Sequence, residues 1–158
     1  MNKTLFLSRS AAIAALYVAL TFVSYALGLS SGAVQLRLSE ALYVLCCFMP
    51  EAVPGLFVGC FLANLLTGCA LLDVIFGSLA TLAGALGAYF LAKHRFLAVI
   101  PPILANTAVI PAVLFFVYKA EGSYLYFTLT VFLGELISCG IFGQICYSAV
   151  NKIKKYIS

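Results

Sequence analysis

The chain has 158 residues, 65% of them hydrophobic and 9% charged, with a formal net charge of +4. A soluble domain carries about 25% charged residues, so this chain lacks the charge to cover a water-facing surface and lipid is the expected solvent for most of it. The lysines and arginines lie scattered between apolar runs and form no patch, which excludes nucleic acid as an expected partner.

A helix needs about 20 apolar residues to cross the hydrocarbon core. The first such run covers residues 9–29, just after Lys3. It is too long for the apolar part of a secretory signal, so it reads as a transmembrane helix. Residues 30–37 (SSGAVQLR) form a polar break. Residues 38–49 are apolar but short and end at Pro50-Glu51. Residues 52–67 follow and stop at Thr67-Gly68, and residues 71–92 form a span rich in small side chains. Lys93-His94-Arg95 makes a charged loop. Residues 96–118 span again, with Pro101 and Pro102 near the start and Pro111 inside. A second charged loop, Lys119 to Gly122, precedes the last span, residues 123–150, and Lys152, Lys154 and Lys155 follow it.

The expectation is an all-α integral membrane protein, one membrane domain over residues 1–158 with six transmembrane helices. The second helix is the difficulty, since residues 38–49 at 1.5 Å per residue reach only about 18 Å. Merging residues 38–67 into one span is the alternative. Charge favours six: Lys3, Arg9, Lys93, Arg95, Lys152, Lys154 and Lys155 then share one side, against Arg37 and Lys119 on the other. The positive-inside rule places both termini in the cytoplasm of a multi-pass plasma-membrane protein.

This topology sorts the polar residues. Arg37, Glu40, Asn64 and Asp73 fall at or near the outer ends of their helices. Glu135 and Asn106 fall near mid-membrane by rise per residue. Glu51 stands alone on the cytoplasmic side and is expected to be solvated, and Gln144 near the inner end reads as packing or interfacial. A carboxylate at a helix centre costs roughly 3 kcal/mol on insertion scales, so Glu135 should face the bundle interior. It is either a ligand contact or a protonated acid bonded to a neighbouring helix. Asn106 reads equally as a ligand contact or a helix bridge. A carboxylate with an amide suits a flat heterocycle, because the first accepts parallel N–H bonds and the second both donates and accepts. Tyr25, Tyr43 and Phe61 are stacking candidates, although packing or an interfacial belt is the simpler reading of any one of them.

Ala11, Ala15 and Ala19 repeat at four-residue spacing on the first helix, a face that lets another helix approach closely. Gly77, Ala80, Gly84 and Ala88 form a similar set. The six cysteines include the vicinal pair Cys46-Cys47 but no Cys-x-x-Cys, and His94 is the one histidine. Small apolar packing is the simpler reading of the cysteines, with a membrane thiol-redox protein as the alternative. There is no phosphate-binding loop and no catalytic or metal constellation, so the chain is expected to be no enzyme, to carry no cofactor or metal and to hydrolyse no ATP itself.

Four stretches carry a family likeness: QLRLSEAL from Gln35, PEAVPGLFVGC from Pro50, ANLLTG from Ala63 and DVIFGSLAT from Asp73. With the length, the helix count, the alanine face and Gly134-Glu135 in the last helix, they resemble the QueT family of queuosine-precursor transporters. The resemblance implies the substrate-binding S component of an energy-coupling factor (ECF) transporter, a six-helix bundle importing a 7-deazaguanine base. The polar residues sorted above, Glu135, Asn106, Arg37, Glu40, Asn64 and Asp73, are the expected substrate contacts. The resemblance also implies that Ala11, Ala15 and Ala19 dock on a transmembrane coupling subunit driven by two separate ATPase subunits. An S component for another vitamin or nucleobase, and a pure assembly protein, are the competing expectations.

Overall fold

The computed structural model of the chain describes residues 2–29 and 34–157, with side chains as far as residue 153. Residues 30–33 of the polar break and the side chains of Lys154 and Lys155 lie outside the described residues. All regular structure among the described residues is helical. Helix α1 is Lys3–Ala26, α2 is Ala52–Leu66 and α3 is Leu71–Phe90. Helix α4, Ile100–Ala112, continues as a π-helical turn, Val113–Val117. Helix α5, Tyr124–Glu135, passes through a π-helical stretch, Leu136–Phe142, into α6, Gly143–Ile157. Asn2 accepts from the Thr4 N–H and Ser123 from the Tyr126 N–H, each satisfying one orphan donor of a first turn.

Among the described residues, Lys3–Ala26, Leu71–Phe90, Ile100–Val117 and Tyr124–Ile153 are long and apolar enough to cross a membrane. Two further apolar helices are shorter, Leu38–Cys47 and Ala52–Leu66. Leu38–Cys47 is a 3₁₀ helix of 10 residues, and Ser39 to Cys46 are all buried. It packs against α1, α2, α3, α6 and the π stretch. This short element is therefore the centre of the bundle, with the long helices arranged around it. At about 2.0 Å per residue it extends about 20 Å.

The segment before it makes up length. Gln35, Leu36 and Arg37 are non-helical, and Arg37 is extended at φ −116° and ψ 106°. The Gln35 carbonyl presses against Gly134 so closely that a Cβ there would overlap it. Gly134 lies roughly 15 Å along α5 from Tyr124, so the chain has already entered the bundle before the 3₁₀ helix begins. Non-helical backbone at membrane depth is tolerated only where protein satisfies it, and here partners are supplied. The Leu36 N–H donates to the Leu29 carbonyl at 2.9 Å, the Arg37 N–H to Ser138 Oγ at 3.3 Å and the Leu38 N–H to Ser24 Oγ at 2.9 Å.

Small residues decide which helices approach closely. Gly55 and Gly59 of α2 lie on Ser10, Ile13, Ala14 and Tyr17 of α1. On α3, Gly77, Ala80, Gly84 and Ala88 are all buried, with Gly84 against Pro102. Ala11, Ala15 and Ala19 are different: all three are exposed, on the side of α1 away from α2. The same kind of pattern thus serves the bundle interior in α3 and faces outward in α1.

Glu51 corrects the expectation of a solvated charge. It is buried, at 3% exposure, and pairs with Arg9 at 3.3 Å. Its carbonyl accepts from Ser10 Oγ at 3.0 Å, and Oε2 has no hydrogen-bond partner among the described residues. The close α1–α2 contact closes over the carboxylate, a consequence of packing between positions far apart in sequence.

A Cβ at Gly59 would sit 2.7 Å from Tyr17 Cβ. Gly59→Leu should therefore push α1 and α2 apart and cost about 1–3 kcal/mol. Thermal unfolding in detergent should show a lowered midpoint, while Val58→Leu on the adjacent exposed position leaves it unchanged.

Candidate functional site

Three elements bring buried polar side chains to one point. The 3₁₀ helix supplies Glu40, α4 supplies Asn106 and α5 supplies Glu135, at 2%, 3% and 9% exposure. The Asn106 amide uses both of its hydrogens: Nδ2 donates to Glu135 Oε1 at 2.9 Å and to Glu40 Oε2 at 3.3 Å. Tyr17 of α1 donates its hydroxyl to Glu40 Oε1 at 2.7 Å. Cys139 Sγ lies 3.3 Å from Glu135 Oε2 and 3.5 Å from the Glu40 carbonyl oxygen. One amide thus bridges two carboxyl groups that lie 66 and 29 residues from it in sequence.

Local structure explains the placement. Glu135 is the last α-helical residue before the π stretch, and π turns widen a helix and recur at functional sites. The Ser39 Oγ, 2.9 Å from Thr21 Oγ1, holds the start of the 3₁₀ helix against α1. Glu40 follows directly and so points inward, toward Tyr17 and Asn106. It is the third residue of its helix and is buried there.

Two cavities meet at this point. An inner chamber of about 20 Å³ is lined by Glu40, Glu135, Asn106, Arg37, Gln35 and Thr81, with Gly77, Ile110 and Val131. That is room for one water-sized group. A vestibule of about 320 Å³ is lined by Gln35, Arg37, Cys69, Asp73, Tyr118 and the apolar Ile110, Val113 and Leu114. Gln35, Arg37 and Ile110 line both. In the vestibule Asp73 Oδ2 accepts from the Tyr118 hydroxyl at 2.9 Å, and the Tyr118 hydroxyl oxygen in turn accepts from the Ala70 N–H at 3.0 Å.

The six residues expected to contact substrate are therefore distributed. Glu135, Asn106, Glu40 and Arg37 line the chamber, and Arg37 and Asp73 line the vestibule. Asn64 is buried, lies 3.6 Å from Cys60 Sγ through Nδ2 and lines neither cavity. Tyr25 and Phe61 are exposed, and Tyr43 is buried beneath the site with its hydroxyl unpartnered among the described residues. Tyr17, Thr81, Gln35 and Cys139 escaped the sequence reading. A signal for Tyr17 existed: Ser10, Tyr17, Thr21 and Ser24 recur at helical spacing and are all buried on one face of α1.

Glu40, Glu135 and Cys139 offer ligand atoms within 4.8 Å of one another, compact enough for a metal ion. Their atoms already make the hydrogen bonds described, and Arg37 lines the same chamber. A guanidinium beside the carboxylates opposes a second cation. All six cysteines are free thiols; Cys46 is buried and Cys47 half-buried.

Buried carboxyl groups at a cavity between apolar, membrane-length helices describe a multi-pass membrane protein with an internal polar site. Residues 7–152 match the family model described as QueT transporter, and the chain belongs to that family. It is accordingly a transport protein and not an enzyme, which removes thiol-redox catalysis by Cys46-Cys47 as its function. No curated protein and no solved structure matches the chain.

Tyr17→Phe removes the donor to Glu40 Oε1 and leaves that buried oxygen without a partner. A loss of about 1–3 kcal/mol of stability is expected. It should appear as a lowered thermal midpoint, whereas Thr128→Val, which loses a hydroxyl bonded to its own helix at an exposed site, should stay near the parent value.

Proposed function

We propose that the chain is the S component of an ECF transporter and imports a 7-deazaguanine precursor of queuosine. The observation that carries this reading is the buried bridge Glu40–Asn106–Glu135 with Arg37 at the same chamber. A guanine-like base presents adjacent N–H donors and a ring carbonyl. Carboxyl groups complement the first, and the guanidinium or amide complements the second. Two carboxylates held this close in a medium of low dielectric repel strongly, so a ligand that also carries an aminomethyl cation gains from both. Glu135, Asn106, Glu40 and Arg37 are the proposed inner polar contacts; the chamber they line, about 20 Å³, admits one small group, so the ring itself is proposed to lie in the adjoining cavity of about 320 Å³. Asp73 belongs to the entrance, and Asn64 supports the wall behind it.

The membrane path proposed has six passes, with both termini in the cytoplasm of a cell expressing it in its plasma membrane. The extended Gln35–Arg37 entry supports counting the 3₁₀ helix as a pass, because at about 3.3 Å per extended residue it adds about 10 Å to the helix length. The partners are a transmembrane coupling subunit and two ATPase subunits, with membrane lipid around the rest and no nucleic acid. Ala11, Ala15 and Ala19, exposed on α1, are the proposed docking face for the coupling subunit.

Calorimetry with 7-aminomethyl-7-deazaguanine tests the site. Glu135→Gln should weaken binding by about 10- to 100-fold, the size of a lost charge-assisted hydrogen bond, and Glu51→Gln should bind as the parent does. Equal binding by Glu135→Gln and the parent removes Glu135 from the site. Tight binding of a different vitamin or base in a thermal-shift panel, with none of the deazaguanine, favours an S component of other specificity.

The assembly half is tested separately. Ala15→Leu should block co-purification with the coupling subunit and abolish uptake, yet leave calorimetric binding within about twofold of the parent, since small residues at such faces permit close backbone approach.

A further inference from the structure

We infer that the groove along α6 binds an anionic phospholipid, with the phosphate held by Lys152 and Arg95 and an acyl chain along Ile145 and Ala149. The inference goes beyond the substrate reading and needs only that the chain spans a membrane. Gln144, Ile145, Ser148, Ala149 and Lys152 line a cavity of about 560 Å³. They share one face of α6 by their helical spacing, at the end of the apolar stretch Tyr124–Ile153. Ile145, Ser148, Ala149 and Lys152 are exposed, and the Ser148 hydroxyl is already spent on the Gln144 carbonyl at 2.9 Å. The groove therefore offers apolar contact at Ile145 and Ala149 and a cation where the apolar stretch ends. A phospholipid has the same order of chemistry, from tail to headgroup.

Arg95 stands beside this groove. Its carbonyl accepts from Gln144 Nε2 at 3.1 Å. Its guanidinium lies 4.4 Å from the centre of the Phe96 ring and 5.6 Å from that of Tyr147, and Tyr147 packs on Phe48 at 4.8 Å. Stacking on aromatic faces fixes a guanidinium, whose N–H edge suits phosphate oxygens. Helix geometry tilts the Lys152 side chain back toward the Ser148 turn, and so toward Arg95. Counter-charge is scarce here. Residues 74–120 and 136–158 contain no Asp or Glu, and Glu51, three residues after Phe48, is paired with Arg9 at 3.3 Å. Basic side chains near a membrane surface attract anionic lipid, and charge favours such a lipid over an apolar partner helix. One further group points to a ligand with a hydroxyl: Gln144 Oε1 is buried and has no hydrogen-bond partner among the described residues. The headgroup hydroxyls of phosphatidylglycerol supply that donor.

The chain contains no tryptophan, so a single introduced one reports on its own lipid neighbours. Ile141→Trp places it at an exposed position one turn before Ile145, and Leu16→Trp places it at an exposed position on α1 as the control. The full chain is reconstituted in phosphatidylcholine vesicles containing brominated phosphatidylglycerol or, in parallel, brominated phosphatidylcholine, and fluorescence quenching is read. At Ile141→Trp the relative binding constant should favour phosphatidylglycerol by at least about fivefold, the effect of one basic side chain near a membrane surface. At Leu16→Trp it should stay below about twofold. In the Ile141→Trp background, Lys152→Gln should at least halve the preference, and adding Arg95→Gln should bring it close to one. Ala149→Phe, which fills the groove and keeps both cations, should also abolish it. Thermal unfolding checks that each variant is folded. Equal quenching by the two lipids at Ile141→Trp overturns the inference, as does an equal preference at Leu16→Trp. A preference that survives the double charge variant, or Ala149→Phe, overturns it too. Substrate binding is not read in this experiment, so failure of the substrate reading leaves its outcome unchanged.

Discussion

Backbone that is not helical cannot lie at membrane depth unless protein groups take its hydrogen bonds. That constraint organises this molecule. Gln35–Arg37 enters the bundle without helical bonds of its own; the Leu29 carbonyl takes the Leu36 N–H and Ser138 the Arg37 N–H, while Ser24 takes the N–H of Leu38 that follows. Gly134 leaves space for the Gln35 carbonyl. The price of the irregular entry is a ring of committed partners on α1, α5 and the π stretch. In return, side chains that an uninterrupted helix would hold at the surface reach the interior. Arg37 lines both cavities, with Gln35 and Ile110, and Glu40 becomes a buried acceptor.

The carboxyl pair depends on that entry. Glu40 meets Asn106 and Glu135 only because the 3₁₀ helix starts inside the bundle. Tyr17 and Asn106 then occupy the Glu40 oxygens, and Asn106 spends its second hydrogen on Glu135. Such a network is costly when any member is missing, since each remaining polar atom is left in a medium that solvates it poorly. It also fixes the mutual position of the 3₁₀ helix, α1, α4 and α5.

Small residues show why pattern alone leaves a question open. Ala80, Gly84 and Ala88 of α3 face inward against neighbouring elements, while Ala11, Ala15 and Ala19 of α1 face outward. Both sets have the spacing that permits close helix contact. Which one is consumed inside the bundle depends on where the bulky partners lie: Gly55 and Gly59 of α2 take the Ile13–Tyr17 side of α1, and the alanine side stays uncovered.

The sequence by itself determined the solvent, because 9% charge cannot cover a water-facing surface. It also determined the long apolar helices, the charged loops between them and the family. The interior position of Glu135 and Asn106 was legible because helix rise converts residue number into depth. Glu51 was misread as solvated because its partner Arg9, 42 residues away, leaves no local trace. The tertiary structure alone decided that one amide bridges two carboxyls, that Arg37 lines both cavities and that the short element is central. These are contacts between segments distant in the chain, and hydrophobic periodicity carries no information about which polar side chains meet.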